Sequence, residues 1–597
     1  MAESSGAAGA IYAARLAEHR RAADVFHRRH LWLGNVKGLL FLAFLALLWA
    51  ALAESALLWT WSLVPLAGLV ALLPVHESVL RRKARALAAA QWNQAGLERL
   101  DHRWAGKGDA GERYADSEHP YQADLDLFGK GSLFERLAST RTRQGADLLA
   151  GWLLAPTPAP ALAARQQAVR ELIPKAEFRE DVGLLGSKLP GNIDFAADAA
   201  WGAAPARDLG PLPRILATTF SAIAAMMLAI AIPTNENWSW FLLSLLPLVA
   251  IAAWRRRETR AVLGDVDRRD RELRLLSELL HRIEREPESS PRLVVIRAAL
   301  DADGVPPSRQ IARLSKLVEI LDWRRNQLFA PFAAMFLWST QLAYAVERWR
   351  SRSGPKIRVW LEAAAEIEAL HALAGFAFER PDAVFPEIAA AEGGSFVEGT
   401  ALRHPLLPAA VANDVALGPS AQLYLVSGSN MSGKSTYLRT IGANLVLAYA
   451  GAPVAAAALR ASPLHIGATL RIHDSLQEGK SRFYAEIVRL RRILDAAIAG
   501  PVLFLLDELF HGTNSNDRLV GAVAVLGRLL ERKAIGLATT HDLALAEAAS
   551  RLGGAARNVH FADQFADGEM KFDYRLRDGV VPKSNALALM RAVGIEV

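Results

Sequence analysis

The chain of 597 residues contains no cysteine. Disulfides, thiolate metal sites and cysteine nucleophiles are thereby excluded. It also lacks a strong excess of one charge: 69 Lys and Arg stand against 62 Asp and Glu, a net +7. That balance permits contact with nucleic acid or anionic lipid without demanding it. The opening thirty residues, MAESSGAAGAIYAARLAEHRRAADVFHRRH, lack the apolar core of a cleaved secretory signal and read as a polar amphipathic segment. Apolar residues are plentiful, at 52%, and they are unevenly spread.

Two pairs of apolar runs stand out. Gly38 to Ala53 is followed by Ala56 to Val75, and Ile215 to Ile232 by Trp238 to Trp254. Each holds roughly 16–20 residues, enough for a helix to cross about 30 Å of hydrocarbon. Neither connecting loop contains Lys or Arg. Arg28, Arg29 and Lys37 precede the first pair, and Arg81, Arg82, Lys83 and Arg85 follow it. Arg207 and Arg214 precede the second, and Arg255, Arg256, Arg257 and Arg260 follow it. Basic flanks stay on the cytoplasmic side. The sequence therefore predicts two transmembrane hairpins in the cytoplasmic (inner) membrane, a multi-pass protein whose large segments are all cytoplasmic. The competing reading, buried helices of a soluble core, fits the paired lengths and flanking charges less well. A fifth apolar run, Leu328 to Val346, has arginines on both sides (Arg324, Arg325, Arg348 and Arg350) and contains Ser339, Thr340 and Gln341. Crossing there would carry the C-terminal third outside the cell, so a buried or interfacial helix is expected.

Between Asp124 and Pro174, and again from Thr259 to Arg285, leucines recur at helical spacing among charges. From about Thr400 short apolar runs, glycine turns and amphipathic helices alternate, the texture of an α/β domain.

That last region carries the chemistry. The segment Gly428-Ser429-Asn430-Met431-Ser432-Gly433-Lys434-Ser435 fits G-x-x-x-x-G-K-[ST], after the strand-like LYLV and before a helix-like TYLRTIGANLVLAYAG. Glycines there let backbone N–H groups surround phosphates, and the helix N-terminus adds its dipole. Lys434 brings a point charge to the β- and γ-phosphates, and Ser435 an oxygen to Mg²⁺. The run Val502 to Leu509, VLFLLDEL, ends an apolar strand in two carboxylates. Asp507 suits the Mg²⁺ water shell and Glu508 the polarisation of an attacking water. His541 closes a further strand, AIGLATTHDL, where it can sense the γ-phosphate.

These motifs together resemble the MutS family of ATPases. Asn430-Met431 within the loop and the trailing GKSTYLR match the family's G-P-N-M-x-G-K-S-T. GKSRFYAEI (Gly479 to Ile487), DELFHGTNSNDR (Asp507 to Arg518) and ATTHDLAL resemble its further segments in order, and LRHPLLPAAVANDVAL (Leu402 to Leu417) resembles the run that precedes the loop. FDYRLRDGVVPKSNALALMRAVGI is similar to its closing element. Upstream, Leu125 to Ile173 and Phe378 to Ile388 look like the start and end of its helical core. The resemblance implies two ATPase domains pairing as a homodimer that shares two sites. Gly428, Ser429, Asn430, Met431, Ser432, Gly433, Lys434, Ser435 and Thr436 would hold phosphates in cis, with Val411 to Asn413 along the adenine. Lys434, Glu508 and His541 would be catalytic, and Ser435 and Asp507 would carry Mg²⁺. Ser481 would reach the partner's γ-phosphate, and Asp517 would lie in the loop coupling the two sites. ATP and Mg²⁺ are the implied cofactors, with no other metal.

Departures are equally specific. Ser429 and Ser432 replace residues commonly Pro and Gly. Phe510-His511 replaces Gly-Arg, and Ala410 takes the place of an aromatic that stacks on adenine. No mismatch-reading domain and no Phe-x-Glu wedge segment are evident. The expected organisation is an amphipathic segment (1–30), a transmembrane hairpin (31–85), an all-α MutS-like core or lever domain in two parts (86–210 and 258–395) around a second hairpin (211–257), and a P-loop ATPase domain of ABC type (396–597). Three functions fit this organisation. A membrane-anchored MutS-like ATPase coupled to DNA is the leading one. A transporter-type ATPase is opposed by the missing L-S-G-G-Q segment and by spans free of charge. A membrane scaffold that regulates a protein partner is the third.

Overall fold

The computed structural model describes residues 2–53, 56–186, 193–234, 237–301, 304–323, 329–390, 393–471, 482–510, 514–548, 552, 555–566 and 569–581. Within these the chain forms two compact units. One comprises Met1–Ala138, Ala150–Val169 and Leu373–Val597; the other comprises Ser139–Leu149 and Arg170–Ala372.

The first unit begins with two long helices, Ala2–Ala53 and Ala56–Leu100. No break occurs near residue 30: the amphipathic segment and the first apolar run are one helix, which continues through Gly34 and Asn35. The second helix keeps Pro65 and Pro74 in its interior. Its apolar stretch and that of its neighbour leave Leu42, Trp49, Leu52, Trp61, Val64 and Val70 exposed, side chains that a water-facing helix pair would bury. Below that zone the surfaces turn polar. His30 and His76 approach to 2.7 Å, and Lys37 Nζ lies 2.9 Å from the other ring nitrogen of His76.

The C-terminal part of this unit holds two sheets. Five of the strands in the larger sheet are β4 (Leu423–Ser427), β6 (His465–Thr469), β7 (Val502–Leu506), β8 (Ile535–Thr540) and β9 (Ala556–Ala566). With β10 (Glu569–Asp578) they run in the order β10-β9-β4-β8-β7-β6. All neighbours are parallel except β9 and β10, which form a hairpin. Every residue of β4, β7 and β8 is buried, as unbroken apolar runs in a parallel sheet require. The smaller sheet, in the order β1-β5-β2-β3, contains β1 (Glu387–Ile388), β2 (Val397–Leu402), β3 (Asn413–Leu417) and β5 (Ala458–Ala461).

The segment before Ala138 packs on the large sheet. Asp124 is fully buried, and its carboxylate accepts the Leu470 and Arg471 amides at 2.7 Å each and the Arg489 guanidinium at 2.9 Å. Burial still pushes that carboxyl above the ordinary aspartate value, with Arg489 and the two amides pulling it down. Residues 101–138, expected from sequence within the first part of the helical core (86–210), lie in the same unit as the two sheets.

The second unit is helical. The pair Leu212–Thr234 and Trp238–Asp267 carries the second apolar hairpin. The fifth apolar run is split into Ala330–Met335 and Trp338–Ser353 at Leu337, whose φ of 45° is left-handed. Ser221 in the hairpin donates to the Met335 carbonyl at 2.9 Å, tying the short helix to it. Trp201 stacks on Trp349, and Arg350 pairs with Glu347 at 3.0 Å. Four helices among the described residues are long and apolar enough to cross a bilayer, and they are those of the two hairpins.

Candidate nucleotide site

In a parallel sheet the C-terminal strand ends gather at one edge, where loops can converge on a ligand. Here β4 delivers Gly428 to Gly433, β7 delivers Asp507 and Glu508, and β8 delivers His541. Gly428 has φ 150° and Gly433 has φ 103°, both in the region that favours glycine. A Cβ at Gly428 would stand 2.8 Å from Ser432 Oγ, and one at Gly433 would stand 3.1 Å from the Tyr574 ring. The helix Lys434–Ala450 starts directly after the loop.

Lys434 is buried, and its Nζ donates to the Gly428 and Ser429 carbonyls at 2.8 Å each. Burial lowers its pKa from the usual lysine value, while the charges of Glu508 and Asp507 oppose that fall. The hydroxyls of Ser429 and Ser432 are buried with no partner among the described residues. Buried polar groups without partners are costly, and a bound polyanion would meet that need.

Ser435 Oγ donates to Asp507 Oδ2 at 2.6 Å. A hydroxyl and a carboxylate facing each other are hard oxygen donors, the chemistry Mg²⁺ selects. These residues fit the ion, which when bound would neutralise phosphate charge between Ser435 and Asp507. Asp507 is braced from behind: Thr539 Oγ1 donates to its Oδ1 and accepts the Glu508 amide at 3.0 Å. Glu508 has φ 47° and Phe510 φ 57°, conformations that cost energy in non-glycine residues and persist where the surroundings impose them. His541 Nδ1 lies 3.6 Å from Glu508 Oε1.

A cavity of about 630 Å³ opens over these groups, lined by Val411, Asn413, Asn430, Met431, Gly433 to Tyr437, Asp507, Glu508, Phe561 and Tyr574 among others. That volume lies within the range for small-molecule sites. Asn413 is fixed by β10, donating to the Tyr574 carbonyl at 2.9 Å and accepting the Leu576 amide at 2.7 Å. Ala410 also lines the cavity, as do Tyr574 and Phe561.

Sequence reasoning placed Lys434, Ser435, Thr436, Asn430, Met431, Val411, Asn413, Asp507 and Glu508 at one site, and the structure brings them to one cavity. His541 faces a small neighbouring cleft with Glu508 and Arg518. Asp517 sits in the first turn of the helix Ser515–Glu531, where its backbone amide donates to Oδ1 of the N-cap Asn514 at 2.8 Å. Ser481 lies outside the described residues. Thr539, Phe561 and Tyr574 were missed; only the position of Thr539, two residues before His541, offered a sequence cue.

Residues 424–596 match the family model of MutS domain V. The chain carries a MutS-family ATPase domain. It is 36% identical over 200 residues to Endonuclease MutS2 of Thermus thermophilus, covering 32% of this chain and 25% of that protein. It is also 34% identical over 241 residues to DNA mismatch repair protein MutS 2 of Halobacterium salinarum, covering 38% of this chain and 27% of that one. The matched region thus spans about a quarter of the length of these MutS relatives.

Proposed function

We propose that the chain is a membrane-anchored MutS-type ATPase that hydrolyses Mg²⁺-ATP at a site completed by a second copy and couples that cycle to DNA. The observation that carries the reading is the convergence of Lys434, Ser435, Asp507 and Glu508 on one cavity in a MutS domain V. Met431 supports the dimeric site: it stands on the cavity lip 84% exposed, with φ 69°. An exposed apolar side chain in a strained conformation suits a surface that another protein covers. The four apolar helices and their basic flanks support the anchor. The coupling to DNA rests on the relatives, whose names place one in DNA mismatch repair and call the other an endonuclease.

The test is the ATP turnover of the purified full chain in nanodiscs, alone and with homoduplex, mismatched and branched DNA. At least one DNA should change the rate several-fold, and more strongly at low salt, since phosphate contacts weaken as salt rises. A rate indifferent to all three at every salt would exclude the DNA coupling and favour the scaffold reading.

A further inference from the structure

A second cavity, of about 400 Å³, adjoins the nucleotide site and shares Leu407, His404 and Ala410 with it. Its charged lining is strongly basic: Arg99, Arg136, Arg380 and Arg403 face Glu379 and Asp382. Glu379 is already committed, accepting Arg99 Nε at 2.8 Å and the Tyr12 hydroxyl at 2.9 Å and forming an ion pair with the Arg136 guanidinium at 2.8 Å. Asp382 pairs with Arg403 at 3.9 Å. Arg380 is half-buried, with no carboxylate in ion-pair range among the described residues, although Asp382 and Glu379 act on it at longer range; it donates to the Pro405 carbonyl. Arg136 Nε is buried without a hydrogen-bond partner among the described residues.

The positive potential registers on neighbouring groups. Burial, with Arg136 adding repulsion, lowers Arg380 to about 10. Burial followed by Arg439 and Arg380 lowers His404 to about 4, and burial followed by Arg380 and Arg136 lowers His102. Four guanidinium groups share two carboxylates here; a cation held out of water with too little counter-charge is costly, and guanidinium groups match phosphate oxygens in planar, two-pronged geometry.

We infer that this cavity is a second anion site, binding a small phosphate-bearing molecule beside the nucleotide pocket. The apolar part of its wall, Leu407, Pro408, Pro381 and Ala410, leaves room for an uncharged portion of the ligand. Because Leu407, His404 and Ala410 line both cavities, occupancy here reaches the nucleotide pocket through shared side chains. Arg99 and Leu100 end the second helix of the first apolar hairpin, so the site also lies at that hairpin's base.

The probe is labelled inorganic pyrophosphate, in equilibrium dialysis with the full chain carrying Lys434→Ala to weaken the phosphate loop. Uptake of about one pyrophosphate per chain is expected, as for a single built pocket. Adding Arg380→Ala and Arg403→Ala should weaken it at least about tenfold. In the background with Lys434 intact, the same two substitutions should leave ATP turnover without pyrophosphate unchanged. No uptake by the Lys434→Ala chain, or equal uptake after both arginines are removed, overturns the proposal. Should the double substitution unfold the chain, Arg380→Gln alone, with folding verified by circular dichroism, decides by the same criterion.

Discussion

Glu508→Gln is expected to lower ATP turnover by about 100-fold or more, the usual scale for losing a positioned proton acceptor. That corresponds to roughly 2.7 kcal/mol of barrier. The substitution keeps the size of the side chain at a position whose backbone is already constrained at φ 47°. Phosphate contacts come from Lys434 and the loop, so ATP affinity should stay as it was. Chains that bind ATP without consuming it should then accumulate as dimers in the proposed composite site. The measurement is steady-state phosphate release beside nucleotide binding and light scattering with and without ATP. Turnover surviving at the wild-type rate would remove Glu508 from its role.

Glu379→Gln should cost about 3–5 kcal/mol of stability, the scale for leaving buried charges without their partner. Glu379 side-chain exposure is 1% and that of Arg136 is 3%. Burial pushes the Glu379 carboxyl up, yet Arg99 and Arg136 prevail and hold it below the ordinary glutamate value. A carboxyl depressed in the folded state stabilises above its unfolded pKa and loses that contribution as pH falls through the folded value. The gap between wild type and variant should therefore be full at neutral pH and close below the ordinary carboxylate range. Thermal unfolding of both proteins in the same detergent, across pH, reads this out. Equal melting temperatures at pH 7 would show that the three side chains on Glu379 are not holding the helix pair to the body of this unit.

That cluster also shows where sequence reading stops. Tyr12, Arg99, Arg136 and Glu379 are spread over more than half the chain, and a single glutamate near a helix end carries no signal of its buried partners. The phosphate loop and VLFLLDEL were legible because their chemistry is local: adjacent residues at fixed spacing set the geometry. The paired apolar helices were legible for a similar reason, since apolar length is a property of contiguous sequence. Tyr574 was not, because only the β9–β10 hairpin returns it to a loop more than a hundred residues upstream. The grouping of residues 101–138 with the sheets depends on the buried Asp124 contacts, which leucine periodicity cannot reveal. Leu337 broke an otherwise continuous apolar run with a left-handed residue, a choice imposed by packing against the hairpin rather than by local propensity.

The central claim is that a working MutS-type ATP site and a bilayer anchor belong to one chain, with the site on the side of the basic flanks. Sealed vesicles of opposite sidedness, prepared from cells expressing the wild type or Glu508→Gln, test it directly. Inverted vesicles should hydrolyse added Mg²⁺-ATP in excess of the Glu508→Gln control, while right-side-out vesicles should show that excess only after permeabilisation. Excess turnover in intact right-side-out vesicles, or its recovery in the soluble fraction, would contradict the account.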